Sequence, residues 1–507
     1  MSELTYLPPA PAYGYERAQG GLEESVDVVV VGTGPGGASC GYQLAKAGAK
    51  VLFLEMGPPL SRFELNQGAA MRYHMQEGGA MVARGNAYVG IAAGQGVGGG
   101  SLINSAICWR APDEVLDKWS ELLDDPGISS NTFGPIYDDL EGFLGVNPTP
   151  DTVAGENNRL IVRGVQALGY DGGLLSRNTP GCSGAGICYF GCPVGGKNST
   201  NRNFLPLATQ LGAVIQADTK VEQLLLEGGR VVGVRARARN PDSKAWGGTV
   251  TVKADKIVLA GGGIGTPRLL HQSGLAKSMG PMVGQGLHIH PGSAVMGLCD
   301  HEVAMWRGAT QAAYYHPPGL PGVLPHTFSA GPEVCLGALA SHGWTGKDGI
   351  AMLPYLCGLI VMVSDTGSGT VGATSKGSAK LKYHFADSDI MRIKAGMVDA
   401  ARVLLAGGAH TIFTPVHGVG LHKSAESLQQ ALTSVPIADF VLYAAHPMST
   451  CRMGRDPNTS VIRSDGRSHS YEGLYLSDAS VFPTSLGVNP QLTVMAMGTH
   501  LGRTLAR

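Results

Sequence analysis

The sequence VDVVVVGTGPGG, residues 26–37, determines the fold class of this 507-residue chain. Val26–Val31 is apolar at every position except Asp27, which is typical of a strand buried on both faces of a parallel sheet. A glycine-rich turn follows, then a short helix over Ala38–Ala47 and a second apolar strand over Lys50–Leu54. Strand, turn, helix and strand within about 30 residues predict the βαβ unit of a Rossmann-like domain.

The glycines of that turn have the spacing GxGxxG, at Gly32, Gly34 and Gly37. The same spacing recurs at residues 94–99, so the first pattern is informative only because a strand precedes it and a helix follows. Glu55 comes directly after the second strand, where a carboxylate can accept hydrogen bonds from ribose hydroxyls. Because the helix N-terminus favours a pyrophosphate, the unit is predicted to bind a dinucleotide.

The composition is that of a globular protein with a large core. Hydrophobic residues make up 43% and charged residues 15%, and the net charge is −1, so nucleic acid is not expected as a partner. The 75 glycines cluster in short turns, which favours close approach of the backbone to a bound molecule. We find no signal-peptide pattern and no run of the ~20 apolar residues that span a membrane, so we expect a cytoplasmic location.

The segment GQGVGGGSLINSAICWR, residues 94–110, resembles the glucose–methanol–choline (GMC) flavin oxidoreductase family. In that family the corresponding loop wraps the flavin, which implies that Gly98, Ser101 and Asn104 contact FAD in this chain. Some members attach FAD covalently through a histidine just before this asparagine. Ile103 occupies that position and cannot form the bond, so the resemblance implies non-covalent FAD.

Three further segments resemble the same family and follow in the same order along the chain. IQADTKVEQLLL, residues 215–226, matches the segment whose backbone holds the adenine. AGGGIGTPRLLHQSGL, residues 260–275, matches an internal signature in outline, and LYLSDASVFPTSLGVNP, residues 474–490, matches the C-terminal FAD segment. The additional FAD contacts that this resemblance implies are Val221, Asp478 and Gln491.

His446 and Asn489 occupy the positions at which members of this family carry their catalytic pair. Removing hydride from an alcohol carbon gives a carbonyl only if the hydroxyl proton also leaves, so a base is needed within hydrogen-bond reach. A histidine with a pKa near ~6.5 can accept that proton at neutral pH. Asparagine cannot act as the base, but it can orient the C–H bond towards flavin N5. The resemblance therefore implies FAD-dependent oxidation of an alcohol, with His446 as the base.

The sequence leaves the substrate and the electron acceptor open. The resemblance to sterol- and fatty-alcohol-oxidising branches and the few charged residues between positions 290 and 440 favour a hydrophobic alcohol. The acceptor is O2 or another oxidant. A second hypothesis is light-driven or non-redox flavin chemistry on a fatty acid, with Arg452 as the candidate ligand of the carboxylate. A third is a non-enzymatic flavin-binding or redox-sensing protein that uses its cysteines.

Cys182, Cys188 and Cys192 lie in one glycine-rich loop without an evident fourth ligand, so we interpret the loop as structural and predict no metal. His288 and His290 are spaced to share one face of a strand, and we interpret them as hydrogen-bonding residues that join the domains. A further acid or base from the middle of the chain is expected. The unresolved candidates are Glu302, Glu333, His316 and His326.

Together these observations predict an α/β fold in which a Rossmann-like FAD-binding domain is interleaved with an α+β substrate domain built on an antiparallel sheet. The expected boundaries are 1–25 for an N-terminal arm, 26–110, 200–290 and 441–507 for the FAD-binding domain, and 111–199 and 291–440 for the substrate domain. Strands of the second sheet are expected at Val295–Leu298, Leu359–Val363 and Lys380–Phe385.

Overall fold

The computed structural model describes residues 7–59 and 67–507, so the first six residues of the expected N-terminal arm lie outside the described part. The described chain forms two large sheets that are flanked by helices. The α-helices of this part are Tyr15–Ala18, Pro35–Lys46, Gln67–Ala69, Asp113–Leu123, Ser130–Leu144, Asp151–Ala154, Glu156–Ala167, Phe204–Gln210, Gly262–Gln272, Pro332–Ala340, Gly346–Met352, Asp387–Gly407, Ala425–Thr433 and Gln491–Leu505. In the same residues, every helix is too short or too polar to cross a bilayer.

The first sheet, with seven strands in the described residues, contains the predicted βαβ unit. Its central strand, Leu22–Val31, pairs in parallel with a strand on each side, and its valines at positions 28–30 are fully buried, as the apolar run predicts. The following helix begins at Pro35, three residues earlier than predicted, because proline is favourable in the first turn of a helix. In spatial order the strands are Val214–Gln216, Val51–Leu54, Leu22–Val31, Trp246–Leu259, Arg230–Arg239 and Thr219–Glu227, with Leu474–Leu476 paired to Trp246–Leu259.

The turn after the central strand requires glycine for two separate reasons. Gly32 has a φ of +111°, and a Cβ added there would overlap the carbonyl oxygen of Ala260 at the end of the neighbouring strand. A Cβ added at Gly37 would overlap the carbonyl oxygen of Gly32, so this glycine lets the helix lie close to the sheet. The glycines at positions 32 and 37 of the GxGxxG pattern are therefore required by the backbone geometry of the turn.

The second sheet is mixed and mostly antiparallel, and has twelve strands within the described ranges. The three strands expected in the middle of the chain are present in this sheet, which confirms the prediction of a separate substrate-domain sheet. The helix Asp387–Gly407 packs on its central strands and buries an apolar face against them. In spatial order the strands are Gln285–Leu287, Ser368–Ala373, Ala379–His384, Met81–Arg84, Tyr88–Ile91, Leu442–Ala444, Gly292–Cys299, Leu356–Val363, Val323–Thr327, Ala313–His316 and Asp171–Leu174, with Ala409–Phe413 paired to Gly292–Cys299.

Two features differ from the expected organisation of the chain. The N-terminal arm is not loose throughout, because Tyr15–Ala18 is helical and the central strand already begins at Leu22, which pairs with Val250. Met81–Arg84 and Tyr88–Ile91, placed in the FAD-binding part by the sequence, are strands of the second sheet. Both are only four residues long, and Tyr88–Ile91 pairs with residues more than 350 positions later, so local periodicity does not identify them. The three-residue strands Gln285–Leu287 and Leu442–Ala444, which the sequence also placed in the FAD-binding part, belong to the second sheet as well.

The C-terminal helix brings the two ends of the chain together. Gln491–Leu505 packs along Pro35–Lys46, and Gly498 contacts Gly36 and Ser39 at the start of that helix. Asn489, two residues before the C-terminal helix, and the glycine turn of the N-terminal βαβ unit both line one cavity.

Candidate active site

A cavity of about 1750 Å³ opens next to the glycine turn. It is lined by this turn, by residues 99–107 and 259–269, and by the segments around His446 and Asn489. Pockets for one drug-sized ligand are typically ~300–1,000 Å³. This cavity therefore has room for a dinucleotide and a substrate together.

Most of the predicted site residues line this cavity. Gly37 and Gly98 do not, because Gly37 packs the helix on the sheet and Gly98 packs against Leu102. The predicted residues that line the cavity are Gly32, Gly34, Glu55, Ser101, Asn104, Val221, His446, Asp478, Asn489 and Gln491.

Two glycine turns meet at the N-terminus of the helix Pro35–Lys46. A Cβ at Gly99 would overlap Gly34, so the turns approach each other backbone to backbone. The Gly98 N–H donates to Thr33 Oγ1 at 3.1 Å, and Ser101 Oγ donates to the Gly98 carbonyl oxygen at 2.6 Å. The first-turn N–H groups of the helix face the cavity without a side-chain cap at Gly34, which is a favourable environment for a phosphate.

The buried carboxylate of Glu55 ties these turns together. Its Oε2 accepts hydrogen bonds from the Thr33 hydroxyl at 2.6 Å and the Thr33 N–H at 3.1 Å. Its Oε1 accepts from the N–H groups of Gly57 and Gly96, each at 3.0 Å. The expected contact of Glu55 with a ribose stays a prediction, and the structure adds a second role in holding the backbone around the cavity.

Asp478 joins the C-terminal segment to the third glycine-rich turn. Its Oδ2 accepts from the Gly262 N–H at 2.8 Å and from Thr266 Oγ1 at 2.5 Å, and its Oδ1 accepts from the Ser480 N–H at 2.7 Å. A carboxylate that organises two turns at the cavity wall explains why one acidic residue lies in an otherwise apolar segment.

Asn104 and Gln491 form a polar pair on the opposite side of the cavity. The Asn104 amide donates to Gln491 Oε1, and Asn104 Oδ1 accepts from the Ala106 N–H at 3.1 Å. The Gln491 amide donates in turn to Asn178 Oδ1 at 3.3 Å. Gln491 therefore orients Asn104 and links the loop of residues 94–110 to the C-terminal helix.

His446 and Asn489 are adjacent, as expected for a catalytic pair. His446 follows the strand Leu442–Ala444 of the second sheet, and its Nε2 lies 3.3 Å from Asn489 Nδ2. In the described part of the chain, Asn489 Oδ1 is buried without a hydrogen-bond partner. A buried amide oxygen with no partner at a cavity wall is suited to hold a polar group of a ligand.

His290 is the neighbour of His446 that the sequence did not predict. The two Nδ1 atoms lie 3.3 Å apart, and the rings meet edge to face at 78°. The Gly487 N–H donates to His290 Nε2 at 3.0 Å, so neutral His290 carries its proton on Nδ1 and directs it at His446. A proton on His446 Nε2 would then face the Asn489 amide N–H, which is also a donor, so the contacts with His290 and Asn489 favour opposite tautomers of His446. His290 was predicted to join the domains, and the structure places it within the candidate catalytic set.

Asp365 holds the backbone of His290 in a left-handed conformation. Its two oxygens accept from the N–H groups of Ile289 at 3.0 Å and His290 at 3.2 Å, while the φ of His290 is +49°. Tyr383 OH and Ser485 Oγ donate to the same carboxylate at 2.7 and 3.0 Å. Non-glycine residues with positive φ are uncommon and concentrate at functional sites. No sequence motif marked Asp365.

The electrostatics of the pair favour neutral imidazoles. Burial lowers the pKa of His446 well below its usual range, and the neighbouring His290 and His326 lower it further, although Asp365 opposes them. Burial also lowers the pKa of His290 to about 4, against the opposing charge of Asp365. Both rings are therefore uncharged at neutral pH, as a proton acceptor has to be.

The structure reduces the number of candidates for a further acid or base from the middle of the chain from four to two. His326 and Glu333 line the cavity. Glu302 instead pairs with Arg307 at 3.1 Å on the surface, and His316 packs its ring against Trp109. Of the four, His326 is the one whose charge acts on His446, so it is the strongest candidate for an additional polar residue of the site.

These features fit FAD. The uncapped helix N-terminus and the two facing glycine turns provide a place for the pyrophosphate. Val221, which the resemblance led us to expect near the adenine, lines the same cavity, and the His446–Asn489 pair lies in its wall. Ile103 also lines the cavity and offers no nucleophile.

Comparison with known proteins agrees with this arrangement. The family described as GMC oxidoreductase matches residues 71–292 and 366–498, and a Rossmann-like NAD(P)-binding domain matches residues 30–72. An uncharacterised GMC-type oxidoreductase of Mycobacterium tuberculosis is 33% identical over 98% of this chain and 77% of its own length. The chain therefore belongs to the GMC oxidoreductase family of FAD-dependent enzymes that act on CH–OH donors.

Other relatives extend the comparison to enzymes with assigned activities. A long-chain-alcohol oxidase of Arabidopsis thaliana is 29% identical over 95% of this chain and 66% of its own length. A cholesterol oxidase of Acinetobacter baumannii is 22% identical over 93% and 92% of the two chains. Pyridoxine 4-oxidase from Mesorbium loti has the same fold, with a TM-score of 0.71 at 18% identity over 94% of this chain and 98% of its own.

Proposed function

We propose that this protein oxidises a hydrophobic alcohol to the carbonyl compound with non-covalent FAD, and that His446 accepts the hydroxyl proton. The observation that carries the proposal is the His446–Asn489 pair, 3.3 Å apart in the wall of a cavity that also contains the glycine turn of the Rossmann-like domain. FAD, when bound, supplies the hydride acceptor. Asn489 holds the hydroxyl oxygen of the substrate, and His446 takes the proton.

Proton acceptance at His446 depends on its tautomer. The Asn489 N–H that faces Nε2 favours a proton on His446 Nδ1. The bond from Gly487 to His290 instead favours a proton on His446 Nε2. A base at Nε2 needs the other tautomer, with the proton on Nδ1. The exchange has to break the bond from Gly487, so His290 belongs to the proposed proton path as a positioning residue.

The proposal of a hydrophobic substrate rests on the cavity wall and on the relatives. The wall of the cavity is largely apolar, and side chains of the second sheet and of the loops next to it contribute to this wall. The long-chain-alcohol oxidases and the cholesterol oxidase among the relatives are named for apolar substrates. The apolar wall residues include Met296, Phe328, Ile360, Met362 and Leu421.

The fatty-acid alternative has less support. It requires an arginine that can hold a carboxylate beside the flavin, for which Arg452 was the candidate. Arg452 is not among the residues that line the cavity in the described part of the chain, and its guanidinium packs against Gly286 instead. The alcohol hypothesis requires no such cation.

Spectroscopy of the purified protein tests this function. We expect a yellow protein with the visible spectrum of a flavin, released on denaturation because it is not covalently bound. Anaerobic mixing with alcohols, from sugars to long-chain alcohols and sterols, is expected to bleach the flavin with the apolar members. Readmission of air then distinguishes an oxidase, which regains its colour quickly, from a dehydrogenase. A colourless protein that does not take up FAD, or a flavin that none of these alcohols bleaches, contradicts the proposal.

A further inference from the structure

The sulfur of Cys188 lies against a buried arginine in the cysteine-containing loop. Arg177 is only 1% exposed, and its Nη2 lies 3.2 Å from Cys188 Sγ. Its Nε donates to the carbonyl oxygen of Ser105 at 2.9 Å, so the guanidinium is fixed in place. The contact with the sulfur is therefore part of an ordered interior and not of a mobile surface side chain.

A second buried cation contacts the backbone of the same cysteine. Lys197 is 2% exposed, and its Nζ donates to the carbonyl oxygens of Leu102 at 2.7 Å, Asn104 at 2.9 Å and Cys188 at 3.0 Å. Burial lowers the pKa of Lys197 to about 8, so the amine is still mostly protonated at neutral pH. Both positive charges therefore donate to the backbone of residues 102–105, in the segment that lines the large cavity.

These two cations have no carboxylate partner among the ion pairs of the described residues. A buried charge is costly unless an opposite charge compensates it. The acids whose charge acts on Lys197 are the thiols of Cys188 and Cys192, and Cys188 is the one that also contacts Arg177. Burial alone would raise the pKa of this thiol, but the charges of Arg177 and Lys197 outweigh burial and lower it. The environment therefore favours the thiolate of Cys188, the form that reacts as a nucleophile.

The structure also provides space beside this sulfur, and the neighbouring arginine retains a buried donor. A cavity of about 20 Å³ is lined by Cys182, Cys188, Cys192 and Lys197, which is enough for one water-sized group. Arg177 Nη1 is buried and, among the described residues, has no hydrogen-bond partner. In this part of the chain no group of cysteines is arranged to hold a metal ion.

We propose that Cys188 is a peroxide-sensitive nucleophile whose oxidation product is stabilised by Arg177 and Lys197. The thiolate sulfur attacks one oxygen of hydrogen peroxide, an S–O bond forms and the O–O bond breaks. The sulfur loses two electrons and becomes a sulfenic acid, while the departing hydroxide takes a proton from solvent and becomes water. Arg177 Nη2, 3.2 Å from the sulfur, and Lys197, which lines the small cavity, are the cations next to the oxidised group. This site does not rest on the proposed alcohol oxidation, because added peroxide suffices to reveal it.

Chemical trapping in the holoenzyme tests the proposal. We expect treatment with about one equivalent of hydrogen peroxide and then dimedone to label Cys188, as located by peptide mass spectrometry. The Cys188→Ser variant should lose this label, and the matched Cys182→Ser variant should keep it. Label on Cys182 or Cys192 in place of Cys188, or no label in the wild-type protein, overturns the proposal.

A second measurement needs no variant. The rate at which iodoacetamide alkylates Cys188 in the wild-type holoenzyme is expected to reach half of its maximum at a pH below the ~8.5 of an ordinary cysteine. Cys182, in the same loop and also partly exposed, serves as the internal reference. A midpoint for Cys188 at or above that of Cys182 contradicts the role of the two cations.

Discussion

At the scale of single residues, His446 lies between Asn489 and His290, with one ring nitrogen facing each of them. Both of these neighbours are uncharged at neutral pH. The N–H that His290 directs at His446 Nδ1 opposes protonation there, and burial opposes it further. The pair is therefore built to keep an uncharged imidazole at the cavity wall.

The pH dependence of the reaction should reflect this depressed pKa. A base is active while it is unprotonated, so activity is lost only when the pH falls through the lowered pKa of His446. We expect kcat/KM for an active alcohol to stay level from pH 8 down through the ~6.5 of an ordinary histidine, and to fall only at more acidic pH. A decline centred at or above ~6.5 would falsify the assignment of His446 as a buried neutral base.

Replacing His290 should shift the pH at which kcat/KM falls on the acidic side. In the variant His290→Gln the N–H that opposes protonation of His446 is no longer fixed, and the neighbouring titratable charge is gone. We expect the pKa seen in kcat/KM to rise towards ~6.5, with FAD content unchanged. His288→Gln is the matched control, because His288 also contacts Asp365 but does not contact His446. Equal pH profiles for both variants would mean that His290 has a purely structural role.

Much of the candidate site was predictable from the sequence at this scale, and the failures have a common cause. His446, Asn489, Asn104 and Asp478 lie in segments whose residue order is distinctive. His290 and Asp365 act through contacts between segments that are distant in sequence, and those contacts leave no periodic pattern or fixed spacing. The contact roles of the predicted FAD residues stay predictions.

At the scale of elements, the glycine turn links the sequence pattern directly to backbone geometry. The central strand ends at Val31 and is followed by Gly32, whose positive φ and contact with Ala260 leave no space for a side chain. The helix that follows starts immediately, so its N-terminus lies at the cavity. This geometry is local, and for that reason the sequence predicted the βαβ unit to within three residues at the helix start.

A pair of glycine variants tests how much of this requirement is steric. Gly32→Ala adds both a left-handed backbone penalty and an overlap with the Ala260 carbonyl, and we expect it to destabilise the protein by about 3 kcal/mol or more. Gly48→Ala is the control, since Gly48 has a φ of +92° but no heavy atom within 4 Å of an added Cβ. We expect about 1 kcal/mol there, measured by urea unfolding. Similar losses in both variants would show that the overlap at Gly32 is relieved by relaxation.

At the scale of the whole molecule, the site exists because three distant parts of the chain meet. The N-terminal turn, the segment of residues 94–110 and the C-terminal helix all reach the same cavity, and the second sheet supplies His446 and His290. The sequence indicated that the chain forms two separate sheets. It did not indicate that Met81–Arg84 and Tyr88–Ile91 belong to the second sheet, since their partners are chosen by tertiary pairing alone.

The most direct test of the account compares wild-type protein with His446→Ala in rapid anaerobic mixing with an alcohol that bleaches the wild-type flavin. We expect the variant to keep its FAD and its visible spectrum, since His446 is not part of the turns that form the predicted phosphate site. Its rate of flavin bleaching should fall by about 10²–10⁴-fold, the usual contribution of a general base. An undiminished rate in a variant with normal FAD content would contradict the central claim that His446 accepts the proton of the substrate.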